Sequence, residues 1–159
     1  MRIAMMRIPN MQWIAVAIIS LFTHVAIAQG HQDLAAVIAG GNTALSEAVY
    51  GLHTTAYYDG ANIQVAGQGQ ATTLDVSASN FSGVNFSDNA LNGVNTVIIR
   101  YESAAQVASL DAASMSAIES LTTVVLLFTY DITAEQAATA ALTNVPAGAT
   151  SYYSISIPE

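Results

Sequence analysis

The chain has 159 residues, no cysteine, three Lys plus Arg, 11 Asp plus Glu, and a formal net charge of −8. Without cysteine it can be neither a disulfide-stapled scaffold nor a thiolate metal protein. Its acidity excludes nucleic-acid binding through a basic patch, because phosphate repels a field of this sign.

Residues 1–28 read as a secretory leader. Arg2 and Arg7 occupy a basic start, an uncharged apolar run extends from Trp13 to Phe22, and Ala26 and Ala28 stand at a small-x-small exit. Cleavage there removes two of the three cations. Arg100 is then the single permanent positive charge, and the mature net charge is about −10. The expected location is periplasmic or extracellular, with no stable membrane span after cleavage. Retained, residues 12–28 would make only a short anchor. The roughly 130 remaining residues suffice for one core, so 29–159 is expected to be a single mature domain.

Within it, residues 29–70 are predicted to form a helical segment and a β-hairpin. Leu34, Ala35, Val37 and Ile38 supply one apolar face. Gly40-Gly41 interrupts it, and Asn42 or Thr43 can cap a second piece carrying Leu45, Ala48 and Val49. His31, just beyond the leader, is expected in loose chain. The β-prone runs 53–58 and 62–66 flank Asp59-Gly60, a hairpin signal.

Residues 71–95 carry a period of five. In the blocks 74–78, 79–83, 84–88 and 89–93, Val76, Phe81, Phe86 and Leu91 share one position, and Asp75, Asn80 and Asn85 precede the first three. This segment resembles the pentapeptide-repeat family over one coil. The resemblance implies that those four apolar residues point into a four-sided right-handed β-helix. It fades at Ala90, where Asn or Asp is expected.

Residues 96–159 read as β-α-β-α-β. Thr96 to Tyr101 is a strand by β-branched and aromatic content. Ser103-Ala-Ala-Gln106 matches a capping box that opens a helix to about Ser120, with Val107, Leu110, Ala113, Ala117 and Leu121 near helical spacing. Residues 123–130 form the most apolar run, the mark of a strand covered on both faces. Thr133-Ala-Glu-Gln136 repeats the capping box and starts a helix to about Leu142, and residues 150–157 are the last strand. The strands begin about 23 to 27 residues apart, which suits right-handed parallel crossovers. The expected fold is therefore α/β, a mainly parallel sheet of strand–helix repeats, with an irregular solenoid as its rival.

No catalytic or phosphate-binding motif is present, and no cofactor or metal is implied. The candidate catalytic group is His53 as a base, with Asp59 or Glu47 as the orienting acid. The candidate ligand-binding residues are Arg100, Tyr57, Tyr101 and Tyr130. Arg100 could clamp an anion or pair with Glu102, two positions along the same strand face. The tyrosines could form a carbohydrate or protein contact patch. Asn80 and Asn85 begin glycosylation sequons, relevant only in a glycosylating host. The function expected is an exported, non-enzymatic interaction or structural protein of the cell envelope or extracellular space. The alternatives are a small exported hydrolase around His53 and a self-assembling surface subunit.

Overall fold

A computed structural model describes residues 30–107, 109–140 and 142–157. The leader assigned to residues 1–28 lies outside the described residues. Among the described residues there are nine strands: β1 (Gln32–Asp33), β2 (Thr55–Tyr58), β3 (Ile63–Ala66), β4 (Thr73–Ser77), β5 (Thr96–Tyr101), β6 (Leu110–Asp111), β7 (Thr123–Phe128), β8 (Leu142–Thr143) and β9 (Thr150–Ile155). Three short helices accompany them: α1 (Leu34–Ala39), α2 (Thr43–Tyr50) and α3 (Ala134–Ala138).

The main sheet has seven strands in the order β1-β9-β7-β5-β4-β2-β3. All neighbours are parallel except β2 and β3, the hairpin that ends the sheet. Strands β2, β4, β5, β7 and β9 stack in chain order and in register, while β6 and β8 pair in a separate two-stranded sheet. Thr55, Thr73, Thr96, Thr123 and Thr150 form one column across five strands. Register is strongly specified here because a one-residue slip would turn every core side chain to the other face.

The two faces bury different partners. Leu74, Val76, Val97, Ile99, Tyr101, Val124, Leu126, Phe128 and Tyr153 point to one face, where they meet residues from the β4–β5, β5–β7 and β7–β9 connections in a single core. Val125 points to the opposite face and packs under Leu34 of α1 and Leu45 of α2. Strand β7 is thus covered on both sides, as its unbroken apolar run predicts. Asp33 caps α1 by accepting from the backbone N–H groups of Ala35 and Ala36. Gly40 ends that helix, and Asn42 caps α2 through the N–H of Leu45.

The period-five positions Val76, Phe81, Phe86 and Leu91 are all buried. The rings of Phe81 and Phe86 lie 5.3 Å apart.

The β-α-β-α-β reading of 96–159 needs correction. The helix expected over 103–120 does not form. A single 3₁₀ turn spans Ala104–Gln106, the Ser103 side chain makes no cap, and Gln106 accepts instead from the N–H of Glu102. Strand β6 follows and pairs with β8, and a second 3₁₀ segment covers Ala113–Ala117. The buried residues are Ala112, Met115, Ile118 and Leu121, spaced by three. Each is tied to the next by an N–H to carbonyl bond of 2.9 to 3.2 Å. That is the 3₁₀ period, in which residues three apart lie in line. Asp111 reinforces it by accepting from the N–H of Ala113 and from Asn144, local bonding that competes with a helix. The helix begun by the Thr133–Gln136 capping box does form, but it stops at Ala138, short of Leu142, which belongs to β8.

His31 is a second correction. It is 4% exposed and hydrogen-bonded at both ring nitrogens, because β1 enters the sheet beside β9.

Candidate functional site

Helices α1 and α2 cover only part of the sheet face they lie on. Leu34 and Leu45, with Val37, Ile38 and Val49, pack on Ile98, Val125 and Tyr152 of β5, β7 and β9. In-register pairing continues that row through Asp75 to Tyr57 and, on β3, Gln64. At this end the aromatic face is open, with Tyr57 42% exposed. The next row on the same face carries Ser77 beside Arg100.

Arg100 resolves onto Asp75 rather than Glu102. Its Nε stands 2.9 Å from Asp75 Oδ1, an ion pair across two adjacent strands that is not aligned as a hydrogen bond. Cross-strand neighbours on one face are within reach, whereas residues two apart along an extended strand are separated by almost 7 Å of backbone, about twice the rise per residue. Burial raises the Asp75 pKa above its ordinary value. The Arg100 charge opposes that shift and Glu102 adds to it. Ser77 Oγ is 2.9 Å from Ser79 Oγ and accepts a longer bond from Gln106. Gln64 donates to Asp59 at 3.0 Å. The result is a strip of one open aromatic ring, one self-neutralised charge pair, hydroxyls and an amide.

The candidate base and acids are not assembled. Strand β2 separates His53 from Asp59, and the Asp59 carboxylate turns the hairpin by accepting from the N–H groups of Ala61 and Asn62, which hold its pKa below the usual value. His53 Nε2 donates to the main-chain carbonyl of Glu47 at 2.6 Å rather than to its carboxylate. Gly51 sits between them, where a Cβ would stand 2.5 Å from that carbonyl and 2.8 Å from His53 Nε2. This close approach admits only glycine.

The four tyrosine and arginine candidates also divide. Arg100 and Tyr57 share the open face, but Tyr101 is fully buried in the opposite core and stacks on Phe128 at 4.8 Å. Phe128 in turn meets Tyr130 edge-on at 6.1 Å. A common tyrosine patch therefore does not exist, because alternate strand positions face opposite sides. Sequence reasoning missed Asp75. The available signal was an acid at an odd strand position, on the face that later strands fill with Ile98 and Val125. Among the described residues no group of three His, Cys, Asp or Glu side chains converges as a metal site. No described helix is long and apolar enough to cross a membrane.

The chain matches no family model, no curated protein and no solved structure.

Proposed function

We propose that this is an exported, non-enzymatic interaction module of the cell envelope or extracellular space, and that it binds neutral carbohydrate on the open end of its sheet. The observation that carries this reading is Tyr57, 42% exposed beside the Asp75–Arg100 pair on a face that helices cover elsewhere. An open phenol ring offers a flat surface for sugar C–H groups. A carboxylate, a guanidinium, hydroxyls and an amide offer acceptors and donors to sugar hydroxyls. The near-total negative charge of the mature chain disfavours anionic polymers.

The architecture we infer is a layered, solenoid-like stack. The chain-order stacking of β2, β4, β5, β7 and β9 supports it, as does the packing of the β4–β5, β5–β7 and β7–β9 connections on one face. Burial of Val76, Phe81, Phe86 and Leu91 supports reading 74–93 as one pentapeptide-type layer. The hydrolase alternative has less support, since the Asp59 carboxylate is engaged in its own turn and His53 bonds to the main-chain carbonyl of Glu47 rather than to either carboxylate.

The test is a glycan array probed with the secreted protein, run beside a hydrolase substrate panel. Saturable binding to neutral glycans, weakened about tenfold or more by Tyr57→Ala and by Arg100→Ala, is expected; tenfold corresponds to about 1.4 kcal/mol. Binding to peptides alone, or a turnover abolished by His53→Ala, would overturn the reading.

A further inference from the structure

A crevice of about 420 Å³ opens at the carboxyl ends of β5 and β7, away from the open face just described. The segment after β5 contributes Ala104 and Val107, the segment after β7 contributes Tyr130, Asp131 and Ile132, and α3 contributes Gln136. Its size falls within the range of small-molecule sites, about 300 to 1,000 Å³. Parallel α/β sheets gather ligands at this same end.

Two further observations converge there. Val107 is 39% exposed, one of the few large hydrophobic side chains left open to solvent, and it lines this crevice. Tyr130 also lines it, and its hydroxyl is buried with no hydrogen-bond partner. Two other polar neighbours are engaged within their own helix. Gln136 accepts from Thr133 in the capping box, and Thr139 donates to the Glu135 carbonyl. Beyond Tyr130 the aromatic series continues through Phe128 to Tyr101, whose hydroxyl is also buried and unpaired. A buried hydroxyl without a partner is costly, and a native structure keeps one where something else supplies the bond.

We propose that this crevice binds a small apolar molecule, uncharged or cationic, whose single hydrogen-bond acceptor takes the proton of the Tyr130 hydroxyl. The apolar body rests on Val107, Ile132 and Ala104. Anions are excluded because Asp131 is the charged group in the lining and the mature chain is almost wholly negative.

The test is a fluorescence titration of the secreted protein with coumarin, a neutral apolar ring system with a lactone carbonyl, and in parallel with coumarin-3-carboxylate. Saturable coumarin binding is expected, with the carboxylate at least about tenfold weaker. Tyr130→Phe, which deletes only the donor, should weaken coumarin about tenfold. Ala104→Trp, at an exposed rim position, should fill the crevice and abolish binding. Tyr57→Ala should leave coumarin binding unchanged, which separates this site from the carbohydrate face. Absence of saturable binding, meaning a crevice filled by water only, overturns the proposal. So does binding that survives both Tyr130→Phe and Ala104→Trp, or equal binding of the carboxylate.

Discussion

His31 accepts a hydrogen bond at Nδ1 from the Ser151 hydroxyl, 2.9 Å away and 120 residues distant in sequence. Its Nε2–H donates to the Ala140 carbonyl at 2.8 Å, and burial, which lowers the His31 pKa, favours the neutral ring with Nδ1 as acceptor. One imidazole thereby fastens the first strand to the last strand and to the segment that follows α3. Removing the ring would delete one of the two hydrogen bonds that the Ala140 carbonyl accepts, the other coming from the Leu142 N–H at 2.9 Å, and would take the partner from the Ser151 hydroxyl.

His31→Ala is expected to lower stability by about 2 kcal/mol at neutral pH. The pH dependence follows from burial, which lowers the His31 pKa below 6.5, with the Ala140 carbonyl opposing in part. The unfolded chain then takes up the proton first. The contribution to stability is complete above pH 6.5 and is lost as the pH falls through the lowered folded-state value. Urea unfolding of wild type between about pH 7 and about pH 5 should show this loss, and His31→Ala should show less of it. Identical pH slopes for the two proteins would refute the assignment.

The Asp75–Arg100 pair should respond asymmetrically. Burial raises the Asp75 pKa, so the folded state binds its proton more readily than the unfolded chain does. Its effect therefore has the opposite sign to that of His31: the carboxylate lowers stability above the folded pKa, and the loss is relieved as the pH falls toward the ordinary 3.8. Asp75→Asn should change neutral-pH stability by less than about 1 kcal/mol, because the pair is partly exposed. Arg100→Met should cost more, since it leaves a half-buried carboxylate unpaired. A double-mutant cycle by urea unfolding checks this, with the double variant recovering part of the Arg100→Met loss. Additive single effects would show that the two charges do not couple.

Tyr101 governs the alkaline limit. Burial pushes its pKa up from 10.0 to about 12, with Tyr130 adding to the shift. In the unfolded chain this phenol ionises first, so stability is complete below pH 10 and falls as the pH rises toward 12. Tyr101→Phe deletes an unpaired buried hydroxyl while keeping the stack on Phe128, so it should be neutral or stabilising at pH 7 and should delay alkaline unfolding. Near-ultraviolet tyrosinate absorbance, followed with circular dichroism, reads both events. Earlier alkaline unfolding in the Phe variant would contradict this account.

Much of the framework was legible locally. The β-branched runs from Thr96, Thr123 and Thr150 became strands at those residues, and Asp59-Gly60 lies in the turn of a hairpin. Thr133 and Gln136 made their reciprocal cap. The segment 103–120 misled because its alanines fit a 3.6-residue period at Leu110, Ala113 and Ala117. The residues that are buried, Ala112, Met115, Ile118 and Leu121, keep a strict period of three. That alternative spacing was present in the sequence and would have pointed to 3₁₀ turns. Nothing local announced the pairing of Leu110 with Leu142, which holds the segment open.

The sequence by itself determined where the long strands from Thr96, Thr123 and Thr150 begin and which positions within them are apolar, because those properties follow from side-chain sterics and hydrogen bonds between near neighbours. Only the tertiary structure decided which carboxylate meets Arg100, which tyrosine stays open to solvent, and whether His31 is loose or locked. Each of these depends on strands far apart in sequence falling into register. That register is set by the simultaneous burial of two sheet faces, a condition no short window of residues contains.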